Sequence, residues 1–368
     1  MSTAARRLRI ATTDGTPLFT GTRLLLLGPC YKQIALTITV GFWKRGAALK
    51  PRAGVHALSL LSTPLNAQVL EALRDGATPL VDLRRATGSL PPTTMRGHLR
   101  RMVETGILER TREAGFPGAT AYELTASGDE LLGVADELEA WLADAPEGPI
   151  EIGTPAARSA VKALIDGWST GIIRVLAAKP VSLTELSGLI TSTSYPSLER
   201  RLAAMRLAGQ IERRSGGGKG TPYAATSWLR RAIVSLAISI RWERRNLRPR
   251  PPVRRTDVEA AFLLIASLLS EVGDLSGSCR FAVEVDTDAR SGPRHAGVVL
   301  SLVDGAVTSC VTRLAEPADA WASGAVDAWF EAVGEDHLTG LEIGGDRSMV
   351  REVIERARTV LSLGVRTV

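Results

Sequence analysis

Residues 194–214 read SYPSLERRLAAMRLAGQIERR, and the fold turns on how this stretch is parsed. Ser194 is a good N-cap and proline is tolerated in a first turn, so Tyr195-Pro196 opens a helix. Leu198, Leu202 and Met205 recur at helical spacing and define one buried stripe, with Arg200, Arg201 and Arg206 mainly outside it. Gly209 supplies the left-handed residue that stops the helix. Ile211 begins a short strand, Arg213-Arg214 lead into the basic loop Ser215 to Gly220, and Thr221-Pro222-Tyr223 resumes as a strand. Helix, strand, glycine-rich basic tip and return strand is the order of a helix followed by a wing.

The same order occurs earlier in the chain. A shift of 103 aligns Leu80–Leu83 with Leu183–Leu186, Leu99 with Leu202, Met102 with Met205 and Gly106 with Gly209. Past the wing tip a shift of 101 aligns Tyr122 with Tyr223, Thr125 with Thr226 and Trp141 with Trp242. So many apolar and glycine positions in step mark an internal duplication. In the first copy Thr93 to Glu104 is the corresponding helix, with Met95, Leu99 and Met102 inward and Thr93, Thr94, Arg96 and Arg100 outward.

Composition bounds the rest. A chain of 368 residues, 45% hydrophobic and 23% charged, is globular and long enough for two or three domains. Its three cysteines (Cys30, Cys279, Cys310) are far apart and its four histidines scattered. A disulfide framework and a metal site are therefore not expected, and a reducing, cytoplasmic setting is. The net charge of +6 is unevenly spread: +8 over residues 1–55, −5 over 56–145, +10 over 146–252 and −7 over 253–368. An excess of +10 in the second copy points to a polyanion partner, although such an excess also serves plain solubility.

The expected organisation is multidomain: two mainly-α winged helix-turn-helix domains, followed by an α+β domain with a mostly antiparallel sheet. Residues 1–54 are read as a disordered leader whose apolar run, Leu24 to Leu27, is too short to span a membrane. Residues 55–145 hold the first winged helix, 146–155 a Pro/Gly-rich linker and 156–250 the second winged helix. Each copy closes with a helix bearing an apolar stripe: Leu131, Ala135, Leu138 and Leu142 in the first, and Leu229, Ile233, Leu236, Ala237 and Ile240 in the second. Such stripes suit core packing. Because both copies end this way and then in a Trp, they are expected to pack on related surfaces as an intramolecular pseudo-dimer, with a homodimer of the whole chain still open.

A phosphate-binding loop is excluded at Gly216 to Thr221. Lys219 is followed by Gly rather than Ser or Thr, position 213 is Arg rather than the first Gly, and the stretch joins two strands instead of opening a helix. Residues 253–368 are acidic and mix helix and strand patterns. Thr256 to Leu269 is an apolar helix, Phe281 to Val285 a strand, and Ala296–Val303 with Ala306–Thr312 a hairpin about Asp304-Gly305. Val326–Val333 and Met349–Leu363 read as helices.

The first copy resembles the HxlR family of bacterial winged-helix regulators. The resemblance rests on Leu80-Val81-Asp82-Leu83, Leu99-Arg100-Arg101-Met102, Gly106-Ile107-Leu108, the run Tyr122 to Gly128, and Trp141. The second copy is similar but looser, and the two cover about half the chain. The resemblance implies a dimeric regulator that binds double-stranded DNA. A standard homodimer on a palindrome does not follow, because here two copies are fused. Physical reasoning points the same way: small polar and Arg side chains on the outer helix face suit the major groove, and Arg on a wing suits phosphate. Expected DNA-contacting residues are Thr93, Thr94, Arg96 and Arg100, then Ser197, Arg200, Arg201, Arg213, Arg214 and Lys219.

Residues 253–368 resemble sterol-carrier-protein-type lipid-binding domains through Ala318 to Gly324, Trp329-Phe330 and Leu338 to Asp346. That resemblance implies an apolar tunnel, with Trp321, Trp329, Phe330 and Ile343 as ligand-contacting residues, each of which also fits a plain core. No nucleophile–base arrangement, metal spacing or cofactor loop accompanies them, so neither an enzyme nor a cofactor is expected. The function expected is a DNA-binding regulator with a C-terminal sensor of a hydrophobic effector. The alternative is a lipid or small-molecule carrier, or an interaction scaffold, whose winged helices no longer bind DNA.

Overall fold

In a computed structural model the described residues are 52–88, 91–112, 120–214, 220–269, 272–285, 295–335 and 337–362. The leader as far as residue 51, both wing tips and Lys219 lie outside them.

The first region runs α1 (Val55–Leu61), α2 (Pro64–Ala72), β1 (Thr78–Pro79), α3 (Leu80–Ala86), α4 (Pro92–Glu104), β2 (Leu108–Arg112), β3 (Thr120–Leu124) and α5 (Ala126–Ala143). Pro64 opens α2 at its first position, where its missing N–H costs nothing. Met95, Leu99 and Met102 are buried on α4, as their spacing predicts. Gly106, at φ 74°, turns the chain out of α4; its N–H bonds Val103 O and the next N–H, of Ile107, bonds Met102 O, both at 2.9 Å. Thr125 then caps α5, accepting from Gly128 N while its hydroxyl donates back to Gly106 O.

The second region runs α6 (Pro155–Thr170), α7 (Ile172–Ala178), α8 (Leu183–Leu189), α9 (Tyr195–Leu207), β4 (Ile211–Arg213), β5 (Tyr223–Ala225), α10 (Ser227–Arg231) and α11 (Ile233–Asn246). Its local bonding follows the first region position by position. Gly209 has φ 74°, its N–H bonds Arg206 O, and Gln210 N–H bonds Met205 O. Thr226 accepts from Leu229 N and donates to Gly209 O. Leu108 pairs Leu124 as Ile211 pairs Ala225, and Thr78 pairs Tyr122 as Val181 pairs Tyr223. One expectation changes: the last helix is broken at Ala232, whose N–H bonds Leu229 three residues back, so the apolar stripe divides between α10 and α11.

Helices α5 and α11 pack on each other, and α1 packs on both α6 and α11. Trp141 stacks on Trp228 with centroids 4.3 Å apart and planes 3° apart. Each indole N–H of this pair donates to the other's backbone carbonyl, at 2.9 and 2.6 Å. Trp242 donates to Ser127 O at 2.8 Å. The fully buried Glu243 on α11 accepts from Gly54 N at 2.7 Å and Ala57 N at 2.8 Å, capping the start of α1 from across the contact.

The third region has α12 (Arg255–Ala266), β6 (Gly277–Glu284), β7 (His295–Val303), β8 (Ala306–Val311), β9 (Ala320–Ala325), α13 (Val326–Gly334), β10 (Glu342–Gly345) and α14 (Arg347–Ser362). The sheet order is β10-β9-β6-β7-β8, antiparallel except between β6 and β9. Asp304 and Gly305, both at positive φ, make the hairpin turn between β7 and β8. Strand β9 (AWASGA) escapes a reading by periodicity because its small residues alternate weakly; its pairing with both β6 and β10 defines it.

Helix α12 covers β7, and buried side chains from all three regions join in one core. Two carboxylates on α12, Asp257 and Glu259, are each 1% exposed and ion-paired outside the sheet region. Asp257 pairs with Arg52, and Glu259 with Arg174 of α7 and with Arg255. Burial raises the pKa of Asp257 and lowers that of Arg52, while their contact opposes both shifts. Breaking such a pair from one side leaves a buried charge alone, so these contacts tie the third region to the other two.

Candidate nucleic-acid interface and apolar cavity

The stripe that buries Met95, Leu99 and Met102 leaves the opposite face of α4 in solvent, where Thr93, Thr94, Arg96 and Arg100 are all exposed. Thr93, Arg96 and Arg100 line an open groove of about 680 Å³ between α4 and the β2–β3 hairpin; Thr94 is not on its wall. Arg110 and Tyr122 complete that wall from the hairpin. Arg110 was missed in the sequence, yet the 103-residue shift that matches it to Arg213 was the signal for it. Glu104, 3.7 Å from Arg100, also borders the groove and tempers its charge.

On α9, Arg200 is exposed, while Ser197 and Arg201 are partly buried beside the Leu198–Leu202 stripe. Arg213 lies with its guanidinium 5.8 Å from the Tyr223 ring centre, and Arg214 is 3.3 Å from Glu212. Stacking presets the direction of Arg213, whereas Glu212 partly neutralises Arg214.

The positive excess of the second region is in part answered within the molecule. Arg244 and Arg250 pair with Asp327, and Arg241 and Arg245 with Glu335, across a seam joining α11 and the segment after it to α13 and its C-cap. Asp327 is held below the usual carboxylate range by the Arg244 hydrogen bond, and Glu335 by that of Arg245. Part of the +10 excess is therefore neutralised within the molecule. These four arginines face the acidic third region, a match between segments that linear charge counting does not see.

The expected ligand residues separate. Trp329 and Phe330 line an apolar cavity of about 240 Å³, together with Ala237 and Arg241 of α11 and Ala261 and Phe262 of α12. Trp329 is fixed edge-on to Phe262 and Phe281 and donates to Ala282 O at 2.9 Å. Trp321 and Ile343 are not on this wall. Trp321 lies over Gly344 of the neighbouring strand, where a Cβ would sit 2.4 Å from the ring, and Ile343 is on the edge strand β10. The cavity was expected inside the third region, but α11 of the second region supplies one wall. The stripe of Ile233, Ala237 and Ile240 had been assigned to packing between the two copies.

Burial pushes the thiols of Cys279 and Cys310 up to about 12, so neither is a thiolate at neutral pH. Among the described residues, no His/Cys/Asp/Glu cluster suits a metal, and no helix is long and apolar enough to cross a membrane.

Against known proteins, residues 60–147 match the HxlR-like helix-turn-helix family, so α2 to α5 form an HxlR-like domain. The transcriptional regulator YodB of B. subtilis is similar in its diamide-treated form, at 27% identity over 24% of this chain and 87% of that one, with a TM-score of 0.23. Its reduced form is similar at 25% identity over 24% and 86%, TM-score 0.23. The ytfH protein of Salmonella typhimurium is similar at 28% identity over 23% and 79%, TM-score 0.20. No curated protein matches the chain.

Proposed function

We propose that the chain is a cytoplasmic, non-enzymatic transcriptional regulator. It binds double-stranded DNA through two fused winged-helix modules, and its C-terminal domain senses an apolar effector. The observation that carries the reading is the HxlR-like match over residues 60–147, whose helix α4 leaves Arg96 and Arg100 in solvent beside Arg110 of the hairpin. An exposed helix flanked by a basic two-stranded wing is the geometry of major-groove reading with phosphate support.

A second module at residues 156–250 is supported by the shared strand register and the identical glycine and threonine bonding after α4 and α9. The pseudo-dimer is supported by the α5–α11 contact and its tryptophan bonds. Within this reading Thr93, Thr94, Arg96 and Arg100, with Ser197, Arg200, Arg201, Arg213, Arg214 and Lys219, face DNA. A sterol-carrier-like third domain is supported by its helix-covered, mostly antiparallel sheet.

The rival reading, a carrier whose winged helices no longer bind DNA, draws on the cavity and on the charge of −5 over residues 56–145. A gel-shift series on the gene's own upstream region at two salt concentrations separates the two. A regulator gives a retained, salt-sensitive complex, and the absence of any complex at low salt overturns the DNA reading.

A further inference from the structure

We infer that the cavity between α11, α12 and α13 is the effector site, and that it takes a compact apolar carboxylate recognised by Arg241. The inference rests on the regulator reading only in its last step, the coupling to DNA.

The size comes first. An apolar protein cavity of ~150 Å³ holds benzene, and this one measures about 240 Å³. It therefore suits a ring with a short chain, on the order of ten non-hydrogen atoms, and is too small for a sterol. Its walls are aliphatic and aromatic: Ala237, Ala261, Phe262, Trp329 and Val333.

Three polar side chains reach the wall, Arg241, Asp257 and Ser362; Asp257 is already ion-paired with Arg52, which leaves Arg241 as the cation facing the cavity. Arg241 lines the cavity, and its Nε–H is buried with no hydrogen-bond partner among the described residues. A buried donor left unmade is costly, so the site is incomplete without an acceptor. The other end of the guanidinium is anchored by Glu335, and Gly334 leaves room for it: a Cβ there would lie 2.8 Å from Nη1.

Coupling follows from the neighbours of Arg241. Trp242 bonds Ser127 at the start of α5, and Glu243 caps α1. Three consecutive residues of α11 thus touch the cavity, α5 and α1. A ligand that moves Arg241 bears on the contact between the two DNA-reading modules, and controls DNA only if it favours one arrangement of that contact.

The test uses the full chain, with 4-phenylbutyrate and the neutral 4-phenylbutan-1-ol as probes in titration calorimetry. The acid is expected to bind at least tenfold more tightly than the alcohol. Arg241→Met and Arg241→Lys, the second keeping a cation beside Glu335 but lacking Nε–H, each lose at least tenfold for the acid and less than twofold for the alcohol. Ala261→Phe, which fills the cavity, weakens both probes. Equal affinity for acid and alcohol, or undiminished acid binding by Arg241→Lys, overturns the proposal. Fluorescence anisotropy on the upstream DNA, with and without the acid, reads the coupling, for which a severalfold change in affinity is expected. Acid binding by a chain that retains no DNA sinks the regulator reading and keeps the site, whereas DNA binding without acid binding does the reverse.

Discussion

Trp141 and Trp242, 101 positions apart, make matching hydrogen bonds across the α5–α11 contact. Trp141 donates to the carbonyl of Trp228, and Trp242 donates to the carbonyl of Ser127, itself 101 positions before Trp228. Each closing helix thus reaches the start of the other's. Only the first of these bonds is accompanied by ring stacking, because the partner position in the first region is Ser127.

That asymmetry sets an order of stabilities. Trp242→Phe leaves the Ser127 carbonyl without its donor and is expected to cost about 1–3 kcal/mol. Trp141→Phe loses its own bond and also weakens the stack on Trp228, adding about 0.5–1.5 kcal/mol. Urea unfolding with an unchanged m-value checks the order; an equal cost for the two variants contradicts it.

Glu243 makes stability depend on pH. Burial outweighs the backbone N–H bonds it accepts from Ala57 and Gly54 and raises its pKa from 4.5 to about 7. The folded state therefore holds this proton more tightly than the unfolded chain does. The associated stability is full below pH 4.5 and is lost as pH rises through about 7, on the order of 3 kcal/mol. Glu243→Gln removes this dependence, and thermal melts across pH 4.5–8 compare its slope with that of the unaltered chain.

Gly106 and Gly209 share φ 74° but not surroundings. Alanine at 106 meets nothing within 4 Å, so only the left-handed strain of about 1–2 kcal/mol applies. Alanine at 209 would also lie 3.2 Å from the Pro146 ring. Gly209→Ala is expected to be the more destabilising, as read from chemical unfolding midpoints.

Arginines in the groove and in the seam should differ toward DNA. Arg110→Ala is expected to reduce the slope of log affinity against log salt by about one. Arg245→Ala, whose guanidinium lies 2.8 Å from Glu335, should leave that slope unchanged. A reduced slope for Arg245→Ala would place the seam, too, on DNA.

The element order of the first two regions was legible in the sequence, because its signals are local. Helical spacing at Leu198, Leu202 and Met205 and a glycine stop at Gly209 each act within a few residues. Matching apolar and glycine positions recur in the first region at shifts of 103 and 101. Partner choice is different in kind. That Arg244 meets Asp327, 83 residues away, and that Ala237 faces Trp329 across a cavity rather than the first region, leave no periodic trace in either segment. Strand β9 likewise exists through its pairing with β6 and β10. That Trp321 lies over Gly344 is equally invisible in the segment that carries it. The sequence by itself determined which surfaces are apolar, basic or turned by glycine, since those properties belong to neighbouring residues. Only the tertiary structure decided which surfaces meet, because that depends on the joint packing of segments far apart in the chain.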